Sequence, residues 1–171
     1  KSNFREGMKI LEYFMGSKSS RKSLSDTALR TADSGYLTRR LVDVSQDVIV
    51  REECCDATDG QLVTAIRNPA KPDEDIETLR ERVVGRYTYG DVVNPETGEV
   101  IVPGDKMISD ADYKAIADAG IRQVKIRTLL KCHARHGVCA HCYGADLSSG
   151  KPVSVGESVG IIAAQSIGEP G

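Results

Sequence analysis

The N-terminal third of the chain follows the spacing of α-helices. Apolar residues recur every three or four positions from Phe4 to Met15, after a capping-box sequence that starts at Asn3. This pattern predicts a short amphipathic helix within residues 1–16, which the Gly-Ser-Lys-Ser-Ser sequence that begins at Gly16 should end. The following stretch, as far as Val50, has one Gly and no Pro, so it predicts a long helix within residues 17–51.

The predicted long helix is too long for its own domain. About 30 residues rise about 45 Å, whereas a compact chain of this length has a radius of gyration of about 15 Å. Its apolar residues form two stripes on different sides, one in each half: Leu24, Ala28, Ala32 and Tyr36, then Leu37, Leu41, Val44 and Val48. We therefore expect different neighbours to contact its two ends.

A small, polar and uncharged face runs along this helix. Thr27, Thr31, Ser34 and Thr38 share an arc about 60° wide, and Gly35 lies at its edge. Threonine is a mediocre helix former, so four hydroxyls in register indicate a functional surface, and the alternative is a face whose threonines simply contact water. The Ser-Gly pair also predicts a bend, with close packing against the glycine as the competing explanation.

Basic residues lie towards both ends of the predicted long helix. Arg21 and Arg39 are five helical turns apart and should project from one side, about 27 Å from each other. Residues 17–40 carry six basic and two acidic residues, a local charge of +4 in a chain whose net charge is −2. Local basicity suits contacts to phosphate groups. The alternative is a solvated helix whose arginines pair with acidic residues elsewhere.

The middle of the chain carries strand and turn signals. Residues 60–81 contain two turns and an acidic segment, which we interpret as a surface loop and the start of a helix. Strands are predicted at residues 83–88, at 91–102 with an internal turn, and at 121–130. In the last strand Val124 and Ile126 should alternate with outward-facing polar residues: Gln123, Lys125 and Arg127.

Two more capping boxes predict helices in the second half. The box at Ser109 should open a helix that Gly120 ends. The box at Ser154 should precede a helix of small and apolar residues that Gly168 ends, and this helix should pack tightly on nearly all sides. The chain as a whole therefore belongs to the α+β class, with one long helix, a small mixed α/β subdomain and a short C-terminal helix.

Five cysteines predict a metal site. Three of them follow the spacing Cys132-x6-Cys139-x2-Cys142, in which the last pair forms a knuckle that lets two thiolates reach one tetrahedral ion. Cys54 and Cys55 are the only other thiols, and spacing alone does not distinguish between them as the fourth ligand. A closed four-thiolate zinc site stabilises a fold and has no open position for catalysis.

Other interpretations of the cysteines are weaker. They could be reduced core residues or a redox pair, although the strand-then-helix setting of a thioredoxin motif is missing. The competing histidine ligands are left out, because one lies inside the knuckle and four thiolates already fill the site: His133, His136 and His141.

Composition narrows the class of protein. The 171 residues include 23 basic and 25 acidic ones, 40% are hydrophobic and 28% are charged, and no apolar run is long enough for a membrane helix. These values exclude a membrane-spanning or disordered chain, and they do not favour a free-standing nucleic-acid binder. The chain starts at Lys1 without a Met and stops in a Gly-Glu-Pro-Gly turn, so we expect it to be a piece of a longer protein.

Three motifs, in the same order, resemble one family. Residues 26–43, with the sequence DTALRTADSGYLTRRLVD, resemble the bridge helix of the β′ subunit of bacterial DNA-directed RNA polymerase. The CAHCYG sequence from Cys139 resembles that subunit's second zinc knuckle, and the GIIAAQSIGEPG sequence from Gly160 resembles the helix that leads into its trigger loop.

The resemblance implies an organisation in five parts within a larger multidomain subunit. They are a short helix (1–16), the bridge helix (17–51), a variable small α+β subdomain (52–130), the zinc knuckle (131–150) and the helix leading to the trigger loop (151–171). The distant zinc ligand of the family aligns with Cys55, so the implied metal ligands are Cys55, Cys132, Cys139 and Cys142.

The resemblance also implies what the long helix contacts. It would span the cleft beside the active centre and face the template base and the RNA–DNA hybrid, bending as the enzyme translocates. The implied contact residues are Arg21, Thr27, Thr31, Ala32, Ser34, Gly35, Tyr36, Thr38 and Arg39. The family's catalytic Asn-Ala-Asp-Phe-Asp-Gly-Asp sequence is absent, so no catalytic residue is expected here and Mg²⁺ would be held elsewhere in the subunit.

The implied function is transcription by a multisubunit nucleotidyltransferase. Its partners would be the β, α, ω and sigma subunits, the DNA template, the RNA–DNA hybrid and nucleoside triphosphates, and it would not contact a membrane. It would be located in the bacterial cytoplasm, at the nucleoid, rather than in a plastid. An alternative is a stand-alone zinc-stabilised interaction module, which should be monomeric as an isolated chain. A metal-dependent hydrolase is a third choice, disfavoured because no open zinc position is visible.

Overall fold

The computed structural model describes the backbone of residues 3–170 and their side chains except those of Pro72 and Asp73. The chain divides into two compact units. One unit comprises residues 1–46 and 160–171, and the other comprises residues 47–159. Within the described residues, no helix is both long and apolar enough to cross a lipid bilayer.

The first unit is built on one helix of 36 residues, α1 (Ile10–Ser45), which is about 54 Å long. The carboxylate of Glu12 accepts a hydrogen bond of 2.8 Å from the backbone N–H of Lys9 and satisfies one free donor at its start. Residues Asn3 and Gly7 close a turn before the helix. No residue of α1 is buried in the described chain.

Two predictions about this region were wrong. The short helix expected within residues 1–16 does not exist as a separate element, because α1 begins at Ile10 and continues through residues 16–20. A glycine inside a helix costs only about 1 kcal/mol and serines less, which does not interrupt a helix of this length. The long helix also ends at Ser45, earlier than the predicted Val50, because residues 50–52 form a strand.

The second unit contains eight short strands and three of the helices. In chain order they are β1 (Val50–Glu52), β2 (Gln61–Thr64), β3 (Ile66–Asn68), β4 (Lys71–Glu77), α2 (Leu79–Val83), β5 (Val92–Val93), β6 (Val100–Val102), α3 (Asp110–Asp118), β7 (Gln123–Ile126), β8 (Val138–Cys139) and α4 (Ala140–Tyr143). The strands form four two-stranded pairs, of which β1–β8 is parallel and β2–β7, β3–β4 and β5–β6 are antiparallel.

Two hydrophobic clusters hold this unit together. The larger one joins β2, β5, β6, β7, α2 and α3 through buried aliphatic side chains: Val63, Leu79, Val83, Val92, Val102, Ile108, Ile116, Val124 and Ile126. The smaller cluster lies beside the cysteines and joins β1 to β8 and α4: Val50, Val138, Ala140, Val153 and Val159. As predicted, Val124 and Ile126 are buried in β7 while Gln123 and Lys125 are exposed.

Several local predictions were confirmed. Residues 91–102 form the hairpin β5–β6, with a turn between the strands. The Ser109 hydroxyl accepts from the N–H of Asp112 and caps α3, which ends before Gly120 at a φ of +69°. The C-terminal helix, α5 (Val159–Gly168), also lies where it was expected.

Other local predictions were wrong. The acidic segment expected to be a surface loop forms strand β4, which pairs with β3, although the helix start expected in the same stretch is confirmed by α2. The strand expected at residues 83–88 is replaced by the end of α2 and by isolated bridges at Tyr87 and Thr88. The reason is a capping box at the start of α2: the Thr78 hydroxyl accepts from the N–H of Glu81, and the Glu81 carboxylate accepts from the N–H of Thr78. The box at Ser154, by contrast, precedes a turn and lies before the first residue of α5.

Candidate metal centre and long-helix surface

The four predicted zinc ligands come from four different segments. Cys55 follows β1, Cys132 follows the 3-10 turn Leu129–Lys131, Cys139 ends β8, and Cys142 lies in α4. The knuckle thus joins a short strand to a short helix, contrary to the sequence analysis, and the two further thiols beside it distinguish it from a redox pair. The parallel pairing of β1 with β8 brings the first segment to the last two. This pairing requires Gly137, because a β carbon there would overlap the carbonyl oxygen of Ile49.

The geometry of the four thiols fits a tetrahedral ion. Their Sγ atoms all lie within 4.8 Å of one another, and the Sγ of Cys55 lies 3.6 Å from those of both Cys132 and Cys142. A tetrahedral zinc with its usual Zn–S bonds has S–S edges of about 3.8 Å. Two backbone N–H groups, of His133 and Cys142, point at Sγ atoms of the cluster over 3.3 Å.

The pKa values of the cysteine thiols indicate that the cluster needs a cation. Burial raises the pKa of Cys139 to about 11 and raises that of Cys142 as well. Burial also acts to raise the pKa of Cys55, but hydrogen bonds, first of all from the His133 N–H, outweigh it and lower this pKa to about 7. Four thiolates in this place therefore need a cation to compensate their charge, and thiolates are soft ligands that suit zinc.

Cys54 lies outside the four-thiol cluster. Its Sγ accepts a hydrogen bond of 3.1 Å from Nη1 of Arg127. Together with Asp105 and His141 it forms a second group of candidate ligand atoms within 4.8 Å of one another. The same Nη1 donates to Asp105 Oδ1 over 2.8 Å, so the guanidinium already occupies the space between the sulfur and the carboxylate.

The three histidines lie outside the four-thiol cluster. The ring of His141 stacks on Tyr87 with 4.3 Å between centroids, and its Nδ1 lies 3.0 Å from Oδ2 of Asp105. Within the described residues, His133 and His136 belong to neither group of candidate ligands.

Sequence analysis missed Arg127, which was expected to face outward from a strand. Strand β7 ends at Ile126, so the alternation of sides does not reach the arginine, and its side chain is only 6% exposed. Its guanidinium contacts sulfur atoms and a carboxylate oxygen: Cys54, Cys55, Cys139, Cys142 and Asp105. No sequence signal would have found it, because these contacts come from several segments that lie between 12 and 73 residues away along the chain.

On α1, the four hydroxyls predicted to form a functional face use their protons within the chain. The hydroxyls of Thr27, Thr31 and Thr38 donate to carbonyl oxygens four residues earlier, over 2.8–3.0 Å. The Ser34 hydroxyl lies 3.4 Å from the carbonyl oxygen of Gly168 in α5. Thr27 and Thr31 are exposed and present methyl groups and hydroxyl lone pairs, a small and uncharged surface, whereas Ser34 and Thr38 are half-buried beside Gly168.

The other predicted contact residues of α1 are exposed. Arg21 and Arg39 form no ion pair among the described residues, so the alternative that they pair with acidic residues of this chain finds no support. Ala32 is exposed, and a β carbon on Gly35 would meet nothing within 4 Å. The Tyr36 ring is covered on one face by the guanidinium of Arg40, 4.8 Å from its centroid.

Comparison with known proteins defines the class. Residues 7–171 match the protein family described as RNA polymerase Rpb1, domain 5, and the chain belongs to this family. The resemblance seen in the sequence is thereby confirmed.

Individual relatives are the β′ subunits of bacterial polymerases. The chain is 59% identical over 171 residues to the DNA-directed RNA polymerase subunit beta' of Acetivibrio thermocellus, and 58% identical to those of Alkaliphilus oremlandii and Clostridioides difficile. In each case the whole chain aligns and covers 14% of the relative's length.

Proposed function

We propose that this chain is a segment of the β′ subunit of a DNA-directed RNA polymerase, in which α1 is the bridge helix that positions the template and supports translocation. The observation that carries this proposal is a 36-residue helix without a single buried residue in the described chain. Most helical stability in proteins comes from packing an apolar face, so such a helix needs surroundings that the chain itself does not supply.

The apolar residues of α1 indicate that these surroundings are extensive. Leu11, Phe14, Leu24 and Leu29 are all largely exposed within the chain, and they are distributed over the first three quarters of the helix. Large exposed apolar surface marks contact with other macromolecules. A helix that crosses a cleft between large subunits, contacted by different partners along its length, accounts for this distribution.

The middle of α1 supports contact with nucleic acid. Gly35 costs the helix about 1 kcal/mol relative to alanine, yet the space beside it is open within the chain. Gly35 and the exposed, uncharged Thr27 and Thr31 let a base or sugar approach the backbone closely, and Arg21 and Arg39 can contact phosphates on either side. Ser34 and Thr38 lie on the side that packs against α5. Template, RNA–DNA hybrid and nucleoside triphosphates are therefore the proposed partners, together with the β, α, ω and sigma subunits.

The four-thiol cluster is proposed to hold a structural Zn²⁺ ion. Cys55, Cys132, Cys139 and Cys142 would fill its tetrahedral coordination, so the ion would tie four segments together and take no part in the chemistry. Magnesium prefers oxygen ligands, and neither group of candidate ligand atoms among the described residues is a cluster of carboxylates. The catalytic Mg²⁺ ions would therefore bind elsewhere in the subunit. The proposed location of the enzyme is the cytoplasm, at the nucleoid.

Two acidic substitutions test the role of the helix. Gly35→Asp in the complete β′ subunit should leave assembly intact and slow elongation on a DNA template at least about tenfold, equivalent to about 1.4 kcal/mol. Thr31→Asp should act in the same direction, because both place a charge where the nucleic acid approaches.

Gly16→Ala is the matched control, since Gly16 lies in the same helix and a β carbon there would make only an ordinary contact of 3.8 Å with Met8 Cε. Like Gly35→Asp, it replaces a glycine inside α1, but it places no charge where the nucleic acid approaches, so it should elongate at the wild-type rate. Normal elongation by an assembled Gly35→Asp enzyme would refute the proposal.

A further inference from the structure

The side chain of Arg127 lies against the thiol cluster. Its Nη2 lies 3.6 Å from the Sγ of Cys55, 3.7 Å from that of Cys142 and 4.0 Å from that of Cys139. The guanidinium thus contacts three of the four proposed zinc ligands from one side. A planar guanidinium is suited to this arrangement because it donates several hydrogen bonds from a fixed fork and always carries its charge.

Charge explains why such a group is useful there. Four thiolates around one divalent cation leave a net charge of about −2, and two of the sulfurs belong to buried residues, Cys139 and Cys142. A buried charge is unfavourable unless it is paired and hydrogen-bonded. Arg127, itself only 6% exposed, is the cation that directly contacts the sulfurs among the described residues.

The simplest other explanation is that Arg127 is there to pair with Asp105. That ion pair exists, at 2.8 Å, but it uses only Nη1, which also reaches Cys54. Asp105 also contacts His141 and is half-exposed, so water can replace part of the hydrogen bonding that the arginine provides to its carboxylate. The second nitrogen, Nη2, faces only sulfur among its described partners.

We propose that Arg127 compensates the charge of the zinc–thiolate cluster, and that it thereby slows both the loss of the ion and the attack of electrophiles on the sulfurs. This inference rests on the proposed zinc site. Arg127 is a positioning residue in this role: it binds no metal and acts through the thiolates. Hydrogen bonds to a thiolate lower its electron density, so their removal should make the sulfur both more reactive and easier to protonate off the metal.

The test uses polymerase assembled with the complete β′ subunit. Zinc content is measured first, and each enzyme is then treated with a chelator and N-ethylmaleimide, while mass spectrometry follows alkylation of the peptide that contains Cys139 and Cys142. Following this peptide assigns the result to this cluster even if the subunit binds other zinc ions. The variants are Arg127→Met, Arg127→Lys and Asp105→Asn, with Arg80→Met as a control.

Each variant has a distinct expected result. Arg127→Met should accelerate alkylation about 10- to 100-fold, the usual effect of losing a partner of a metal ligand. Arg127→Lys should fall between it and the wild type, because it keeps the charge and loses the fork. Asp105→Asn should be alkylated no faster than the wild type, since the guanidinium then keeps its hydrogen bonds to the sulfurs without a competing carboxylate. Asparagine also tolerates the positive φ of +57° at this position.

The control variant breaks a different ion pair. Arg80 pairs with Asp110 at 2.7 Å on the surface and donates to no sulfur in the described chain, so Arg80→Met should match the wild type. Equal alkylation rates in Arg127→Met and wild type would overturn the inference, as would an equal acceleration in Asp105→Asn.

Two further outcomes are distinguishable. Wild-type enzyme whose Cys139 and Cys142 are alkylated at once, without chelator, would refute the proposed zinc site itself. If Arg127→Met does not assemble, the test compares Arg127→Lys with Asp105→Asn. Faster alkylation in Arg127→Lys but not in Asp105→Asn supports the inference, and any other pattern overturns it.

Discussion

Gly168 packs directly against Thr38, so that α1 and α5 meet without a side chain between them. A β carbon on Gly168 would lie 2.8 Å from Cγ2 and 2.9 Å from Cβ of Thr38, closer than real contacts allow. The Ser34 hydroxyl reaches the Gly168 carbonyl at the same place, and the Ser45 hydroxyl donates to the Gly160 carbonyl over 2.9 Å at the other end of α5. Two glycine carbonyls and two serines of α1 thus fix the antiparallel register of the two helices.

The first prediction concerns this contact. Gly168→Ala should push the helices apart and destabilise their packing by about 1–3 kcal/mol, as expected for overpacking. Hydrogen exchange of α5 peptides in the assembled subunit should then be faster. Thr38→Ala in the same chain removes the hydroxyl and Cγ2 that the new methyl group meets, so the double variant should exchange more slowly than Gly168→Ala alone. Additive effects of the two substitutions would contradict the contact.

The second prediction distinguishes two adjacent cysteines. Cys55→Ser should lose one equivalent of zinc from the assembled enzyme, because Cys55 Sγ lies among the four thiols. Cys54→Ser should keep the full zinc content, since Cys54 accepts from Arg127 and lies outside that cluster. The measurement is metal analysis of the purified enzymes. Zinc loss in the Cys54 variant, with retention in the Cys55 variant, would reverse the assignment.

Loss of this zinc should have a local effect on structure. The β1–β8 pair is only two to three residues long and is tied together by ligands that follow and end its strands. Hydrogen exchange in residues 50–52 and 138–142 should therefore rise in Cys55→Ser, while α3, which lies in the other hydrophobic cluster through Ile116, should be protected as before.

The third prediction compares two serines that both begin capping-box sequences. Ser109→Ala should destabilise α3 by about 1 kcal/mol, because the hydroxyl satisfies a free N–H at the helix start. Ser154→Ala is the control, since the turn that follows Ser154 lies before α5 and its hydroxyl makes no hydrogen bond among the described residues. Hydrogen exchange of the peptides around each helix in the assembled subunit distinguishes them. Equal effects would contradict the cap assignment.

The fourth prediction follows from the pKa of Asp146. Hydrogen bonds from the hydroxyls and N–H groups of Ser148 and Ser149 lower this pKa from 3.8 to about 2. Because the folded pKa is below the unfolded one, the stabilisation is complete above pH 3.8 and is lost as the pH falls through about 2.

Asp146→Asn should therefore increase hydrogen exchange in residues 144–152 by the same factor at about pH 8 and about pH 5, after correction for intrinsic rates. Ser166→Ala, which removes a hydroxyl bonded within α5, is a control that should leave this loop unchanged. A difference between Asp146→Asn and wild type that shrinks between those two pH values would mean that the carboxyl titrates near its ordinary pKa or above it.

The sequence by itself determined the features that depend on neighbouring residues. The helix after Ser109, the β5–β6 hairpin and the approximate bounds of α5 all follow from caps, turns and spacing within about ten residues. The knuckle cysteines also belong to this group, because two of the thiols are only three residues apart. Family resemblance added Cys55, which spacing did not distinguish from Cys54.

Only the tertiary structure decided the features that join distant segments. The acidic segment became strand β4 because β3 pairs with it, and the choice between Cys54 and Cys55 depends on β1 lying beside β8. Arg127 faces the thiols because β7 stops one residue earlier and its guanidinium finds sulfur and carboxylate there. The physical reason is that local propensities amount to tenths of a kcal/mol per residue, whereas burying and pairing a charged or apolar group is worth several times more.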